Sequence, residues 1–508
     1  MTPESTDVLV IGAGNAALCA ALSAREQGAR VIVVESANVN ERGGNTTFTA
    51  GAMRVVYDGV DELLELMPDL DAEQAANTDF GAYTRDNFFD DIERVTDYRS
   101  NPELAATLVD RSHATLSWMR DKGVRFAPIY GRQAFLVDGR FTFWGGLTIE
   151  AVGGGPGLIE SLTEACDRNG VEIRYGHRAV KLLQDEAGSL IGVRIRHEGR
   201  YLDILAKSVV LASGGFESNP EWRARYLGPG WDLARVRGTR HNMGDGIRMA
   251  LELGANPAGN WSGCHAVAWD LNAPEFGDLR VGDGFQKHSY PFGIIINNLG
   301  KRFVDEGADF RNYTYAKYGR EILNQPGQQA WQIFDSRVSS LLRDEYRIKQ
   351  VTRVTANSIE ELAERMEGVS GQALVATIEE FNAAVDTDTP FNPNIRDGRS
   401  ARGVVPPKTN WANQISEPPF EAYAVTCGVT FTFGGLRIDP TSAAVVDTDR
   451  MDIPGLFACG ELVGGIFYGN YPGGSGLTSG AVFGKIAGAS AARSALGAAK
   501  PSKAGKAN

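Results

Sequence analysis

At 508 residues the chain is too long for one ordinary domain, so two or three are expected, with ample core. Its 43% hydrophobic and 22% charged residues are those of a soluble globular protein. A net charge of −12 excludes nucleic acid or an anionic membrane as a general partner, and any anionic substrate must be met by local cations. In chain order, VLVI (8–11) reads as a buried strand and Gly12-Ala13-Gly14-Asn15-Ala16-Ala17 as the turn after it. Residues 16–27 read as a helix, and VIVVE as a second strand ending on Glu35. This is a βαβ unit carrying the dinucleotide fingerprint in G-x-G-x-x-A form, with an acidic residue 21 positions after Gly14, where a ribose hydroxyl is held. Gly12 permits the tight turn, Gly14 lets backbone approach a pyrophosphate, and the helix start offers free N–H groups and a positive dipole end. The unit by itself leaves open whether the dinucleotide is NAD or FAD.

NERGGNTTFTAGAM (40–53) follows, too polar for core; then come an acidic helical segment from Asp58 to Tyr98 and a helix over Pro102–Lys122. Gly153-Gly154-Gly155-Pro156-Gly157 opens another helix, LIESLTEACDRNG, and VEIRYG reads as a strand. Residues 179–205 alternate like a β-meander, and KSVVLASGGF (207–216) is a buried strand running into a Gly-Gly turn. From Trp261 to Val425 glycine loops thin out and aromatic and charged residues increase, with helices such as SIEELAERMEG. MDIPGLFACGELVGG and GNYPGGSGLTSGAVFGKIAGASAARSAL return to the strand–loop–helix style. The layout predicts an α/β protein whose nucleotide-binding domain is in two pieces, 1–260 and 427–495, with a capping domain inserted over 261–426 and a disordered tail over 496–508. Cys19, Cys166, Cys264, Cys427 and Cys459 are scattered and include no C-x-x-C, which fits a reducing compartment and argues against zinc, iron–sulfur or c-type haem sites. No signal peptide precedes the first strand and the Val8–Leu22 apolar stretch is too short to span a bilayer, so the chain reads as cytoplasmic.

The later glycine clusters favour FAD. Gly43-Gly44-Asn45-Thr46 lies close enough to Glu35 to give the pyrophosphate a second set of amides and hydroxyls, and PGGSGLTSG leads into a helix whose N-terminus suits an anionic reduced ring. The first βαβ unit, GGNTTFTAG, VVLASGGF, NMGDGIRMAL, GKRFVDEG, FGGLRID, IPGLFACGE and the last helix start together resemble the flavoprotein family of fumarate reductase and succinate dehydrogenase, with 3-ketosteroid Δ1-dehydrogenases as cousins. Within it, RYLGPGWDLARVRGTRHNMGDG, NWSGCHAVAWD, GDGFQKHSYPFG and EGADFRNYTYAKYG are most similar to FAD-dependent tricarballylate dehydrogenases. The resemblance implies a Rossmann-like, discontinuous FAD-binding domain with an inserted α+β cap, and hydride transfer between a substrate carbon and flavin N5. It implies FAD contacts at Gly12, Gly14, Asn15, Ala16, Ala17, Glu35, Ser36, Gly43, Gly44, Asn45, Thr46, Thr47, Ala50 and Gly51. Further contacts are implied at Val180, Ala212, Ser213, Gly214, Asp245, Gly460, Glu461, Ser475, Gly476 and Leu477. No histidine occurs between Ser36 and Gly59, where succinate dehydrogenases attach FAD, so a non-covalent cofactor is expected. Without haem or iron–sulfur motifs, electrons must pass to a separate protein, quinone or oxygen; the resemblance suggests a membrane-associated electron-transfer partner.

Arg311, after the Gly300–Gly307 run, matches the proton-transfer arginine of fumarate reductases if one extra residue is allowed, and is the catalytic candidate; as a base it needs strong local help, an anion clamp is the safer assignment, and its bland reading is a surface arginine paired with Glu306 or Asp309. His265 matches a substrate-binding histidine, or is a satisfied core residue. Lys287, His288 and Tyr290 offer charge-assisted donors to a carboxylate, or form a solvated loop. Two family cations are absent: the chain reads Thr430-Phe431-Thr432-Phe433 and Asn470-Tyr471-Pro472 at those places, which puts fumarate and succinate in doubt. Tyr471 instead resembles the carbonyl-polarising tyrosine of ketosteroid dehydrogenases, and Arg437 reads as structural. The reading is a dehydrogenase that takes tricarballylate to cis-aconitate. The alternatives are a ketosteroid-type or fumarate reductase-like enzyme, or a non-catalytic flavin electron relay.

Overall fold

The structure, a computed structural model, describes residues 4–497. Its first sheet grows from the N-terminal strand. The β1 strand (Glu4–Ile11) is buried from Thr6 on; after the turn, α1 (Asn15–Glu26) returns the chain to β2 (Val31–Val34), which lies parallel to β1. The helix has no side-chain N-cap, since its cap is Gly14, and it is held by burial: Ala17 to Ala24 are all inside. Helices α2 (Pro102–Asp121) and α3 (Gly154–Arg168) follow, then β3 (Glu172–Arg174), β4 (Arg178–Gln184), β5 (Leu190–His197) and β6 (Arg200–Leu211). The path order is β4-β5-β6-β1-β2-β3, with β1 parallel to both β2 and β6 and the β4–β6 meander antiparallel. The Asp58–Tyr98 segment is not one helix. It divides into Val60–Leu66, Ala72–Ala76 and Arg85–Val95, broken at Pro68 and by the short strand Thr78–Asp79.

The second sheet belongs to the cap. It contains β7 (Pro257–Asp270), β8 (Ile294–Asn297), then after helix α4 (Arg311–Leu323) the strands β9 (Gln329–Phe334), β10 (Arg353–Ala356) and β11 (Phe420–Leu436). The 17-residue β11 is its axis, pairing with β7, β9, β10 and a short strand Arg235–Val236. Its other side packs on a separate core of Ile294, Ile296, Ile333, Leu374, Ile378 and Phe381. The boundaries expected at 260/261 and 426/427 fall inside β7 and β11, two long paired strands that run on past the composition change. The chain then returns to the first sheet with β12 (Ala444–Val446) and β13 (Asp452–Ala458), the latter parallel to β6, and ends in α5 (Ser475–Leu496). Apart from Leu496 and Gly497, the expected tail lies outside the described residues.

Helix α5 lies directly on α1. A Cβ on Gly484 would stand 2.4 Å from the Ala16 carbonyl oxygen, and one on Gly488 would stand 2.0 Å from that of Ala20. The two backbones touch because four positions, two on each helix, carry almost no side chain. The contact is tied by Asn15 Nδ2 donating to the Leu477 carbonyl at 2.8 Å and by Ser23 Oγ donating to that of Lys485 at 2.7 Å. Gly488→Val is therefore expected to destabilise the protein by about 1–3 kcal/mol through overpacking. Denaturant unfolding followed by tryptophan fluorescence measures this, and an unchanged midpoint would mean that the helices separate at no cost.

Candidate active site

The packing of α5 on α1 brings both helix starts to one elongated cleft in two connected parts. The first, about 800 Å³, is lined by Gly12, Gly14, Glu35, Ser36, Ala212 and Ser213, with Gly44, Gly214 and Asp245 further along. Gly12 has φ +106°, and a Cβ there would lie 2.4 Å from the Ala212 carbonyl oxygen, so both the turn and the close strand exclude any side chain. Glu35 is 6% exposed, and its carboxylate accepts from the Ala13 N–H at 2.7 Å and the Ala37 N–H at 2.8 Å, which fixes its place at the cleft wall. Thr46 Oγ1 accepts from the Asn15 N–H at 3.2 Å, tying the second glycine-rich loop to the start of α1. The second part, about 1210 Å³, shares Asn15, Ala16, Asn45, Thr46, Gly460 and Glu461 with the first and adds Ala50, Gly476 and Leu477.

This shape fits FAD. A carboxylate stands where a ribose diol is held, backbone and the start of α1 stand where a pyrophosphate is held, and the cleft continues past them into a second cavity beside the start of α5. Not every expected contact is at the wall. Ala17 and Ser475 are fully buried, Thr47 donates to the Arg42 carbonyl, and a Cβ on Gly43 would meet Ile159. Gly51 packs on Gly154, and the Val180 carbonyl accepts from Arg248. These residues shape the cleft from behind. His177, Arg178, Ala179, His241 and Asn242 line the first part and were not expected; no local motif marks them.

Around the second cavity, Arg311 opens α4 and its guanidinium lies over the Tyr315 ring, 5.3 Å from the centroid. Burial, reinforced by Arg343, pulls its pKa down to about 9. His265 on β7 is 1% exposed, with neither ring nitrogen hydrogen-bonded; burial and Arg237 hold it far below the usual histidine range, hence neutral. Its ring meets those of Tyr315 at 4.8 Å, Tyr471 at 4.9 Å and Phe431 at 5.2 Å. The Tyr315 and Tyr471 hydroxyls are hydrogen-bonded to each other, and burial followed by Tyr315 raises the Tyr471 phenol well above its ordinary pKa. Arg311, His265 and Tyr471 thus line one cavity. The cations missing from Thr430 and Tyr471 are supplied elsewhere, by Arg132, Arg237 and Arg343, which line the same cavity with Gln133.

The cluster expected over Lys287–Tyr290 is corrected. Lys287 is fully buried, its Nζ donates to the carbonyls of Gly284, Phe285 and Gln286 at 3.1–3.3 Å and stands 3.8 Å from Asp270. Those partners occupy its donors, so it holds the loop and does not reach the cavity. Tyr290 is bonded to Thr314 at 2.6 Å, also away from it. His288 lines only a side chamber of about 350 Å³ behind Arg132, Arg311 and Arg343. Arg437 is exposed. Among the described residues no His, Cys, Asp or Glu group is arranged to hold a metal, and no helix is long and apolar enough to cross a membrane. All five cysteines are free and buried.

The family described as FAD binding domain matches residues 7–477. A probable fumarate reductase of Shewanella frigidimarina is 29% identical over 97% of this chain and 76% of its own length. The open conformation of a flavocytochrome c3 fumarate reductase superposes with a TM-score of 0.71 at 27% identity, over 97% of this chain and 79% of that one. A 3-ketosteroid Δ1-dehydrogenase from Sterolibacterium denitrificans shares the fold, with a TM-score of 0.74 at 21% identity over 97% of this chain and 100% of that one. Glu35→Ala is expected to raise the dissociation constant for FAD about 10- to 100-fold, the value of a charge-assisted hydrogen bond, with the fold retained. Flavin fluorescence on titrating the apoprotein measures this, and an unchanged constant would remove Glu35 from the ribose.

Proposed function

The chain belongs to the FAD binding domain family of flavoproteins, and we propose that it oxidises a saturated polycarboxylate to its α,β-unsaturated product, with tricarballylate going to cis-aconitate as the leading case. It is an FAD-dependent oxidoreductase acting on a carbon–carbon bond. One observation carries the finer reading: four arginines, Arg132, Arg237, Arg311 and Arg343, gather on one cavity that shares its wall with the dinucleotide cleft.

Oxidising a CH–CH unit beside a carboxylate requires one hydrogen to leave as a proton and the other with its electron pair. When bound, FAD supplies the two-electron acceptor. The chain supplies the rest. Arg311 in its neutral form takes the proton from the carbon next to the carboxylate, and the surrounding guanidinium groups stabilise the charge that builds on that carboxylate. His265 is neutral, so it orients a carboxylate by hydrogen bonding and adds no charge. The Tyr315–Tyr471 pair places two hydroxyls against the same space. We read the cofactor as non-covalently held and the electron acceptor as a separate component, membrane-associated or otherwise.

A second reading has its own support. Phe431, Phe433 and Phe467 form an apolar wall around Tyr471, which suits a ketone on a hydrophobic skeleton. Anaerobic mixing of the oxidised holoenzyme with tricarballylate, succinate and a 3-ketosteroid separates the readings. Bleaching by tricarballylate is expected; bleaching by the steroid alone would move the assignment, and bleaching by none would remove all three substrates at once. Arg311→Ala should keep FAD and slow bleaching by about 10²- to 10⁴-fold. Because the neutral form is the base, kcat/KM for oxidation should rise with pH and level off above about 9. A profile flat from about pH 7 to 10 would remove Arg311 from proton transfer.

A further inference from the structure

Four arginines line the second cavity, and their charges are balanced unequally. Arg132 is paired with Asp283, Nη1 to Oδ2 at 2.8 Å, and Arg343 has Glu345 at 3.3 Å from its Nε. Among the described residues neither Arg237 nor Arg311 has a carboxylate within ion-pairing distance. Arg237 Nη1 donates to the Thr430 hydroxyl at 3.5 Å, and Arg311 Nη2 to the Arg132 carbonyl at 3.3 Å. Arg237 and Arg343 are each 7% exposed; Arg237 Nε and all three nitrogens of the Arg343 guanidinium lack a hydrogen-bond partner. Gln133, fully buried beside them, has both amide atoms unbonded as well.

The other acids near the cavity do not close this balance. Glu461 faces it, yet burial and the adjacent Glu217 push its carboxyl well above the usual carboxylate range, which opposes a negative charge there. Burial pushes Glu150 up to about 7, so it supplies only part of a charge at neutral pH. Two guanidinium charges are left without a counter-ion, and a third guanidinium has a counter-ion but no hydrogen bond. Burying unpaired charge and unsatisfied donors destabilises the folded chain, and a surface that keeps such groups on one cavity wall is built for an anionic ligand.

We propose that Arg237 and Arg343 are the specificity-determining residues of this site, each taking one carboxylate of the substrate. Together with His265, which orients a carboxylate in the same cavity, they select a chain carrying three carboxylates over the same chain carrying two. The three come from separate elements: Arg237 follows the short strand that pairs with β11, His265 lies on β7, and Arg343 follows the 3-10 turn Ser336–Leu341. Three carboxylates at different points along one molecule can therefore be met at once, and removing one guanidinium removes one point of contact. This inference rests on the reading of the cavity as a carboxylate-oxidising site.

The test is a titration of oxidised holoenzyme with tricarballylate and with glutarate, which has the same carbon backbone without the central carboxylate, following the visible flavin spectrum. Wild type, Arg343→Gln and Arg237→Gln are compared, each checked for FAD content and thermal stability. Wild type is expected to prefer tricarballylate by at least about tenfold, and each variant should lose about 10- to 100-fold in tricarballylate affinity. Tricarballylate binding by both variants as tightly as by wild type overturns the inference and leaves the carboxylate reading standing. Failure of wild type to bind either acid overturns both. If one variant loses FAD, the other carries the comparison.

Discussion

Everything in the cofactor cleft depends on how closely α5 can approach α1. Gly484 and Gly488 meet the carbonyl oxygens of Ala16 and Ala20, and the two helix axes are set by backbone contact rather than by interlocking side chains. That contact fixes where the helices begin. One begins at Gly14 beside the dinucleotide fingerprint; the other begins at Gly474 beside the cavity that carries Arg311 and Tyr471. Two positive dipole ends are thereby held along one cleft at a separation that side-chain motion cannot alter. Asn15, donating to the Leu477 carbonyl, ties the two starts to each other.

The cap solves a different problem, which is to keep charge in its buried interior. Where charge has no chemical use, the structure neutralises it locally: Lys287 is wrapped by three carbonyls with Asp270 near, and Lys408 donates to the carbonyls of Pro291 and Gly293. Arg302 is paired with Glu306 and adds two proline carbonyls. Where charge is left unpaired, it is gathered on a single cavity. The two treatments occur within the same domain, so the unpaired arginines are a local arrangement and not a general looseness of the cap. Burial first, and the adjacent guanidinium groups second, hold His265 and His288 well below the usual histidine range, so neither adds a further positive charge.

How much of this was legible beforehand follows from the distance over which each feature is written. The βαβ unit is local: strand, glycine turn, helix and Glu35 lie within one short run, and the structure keeps each in its expected place. The start of α5 is equally local, since the glycines of PGGSGLTSG run straight into the helix. Arg132, Arg237 and Arg343 carry no motif, and they meet only because a loop before α3, the strand beside β11 and a turn after β9 converge. Lys287 was misread for the opposite reason. Its neighbours His288 and Tyr290 look like a binding cluster in one dimension, while the fold turns the lysine toward the backbone of its own loop. The domain limits blurred because composition changes where the environment changes, whereas β7 and β11 continue through that change with their ladder unbroken except at bulges.

The pairing of α1 with α5 also has a consequence for the order in which the chain is made. Asn15 and the Leu477 carbonyl it reaches are 462 residues apart, and β13 joins β6 only after the whole cap has been traversed. A ribosome that has released the first βαβ unit has produced the most recognisable nucleotide fingerprint in the molecule, but not a place where the cofactor can stay. Until the last helix emerges, the alanine face of α1 is bare apolar surface, and contacts this remote in sequence form slowly. The glycines that make the finished cleft rigid thus leave the unfinished chain dependent on whatever shields that face in the meantime.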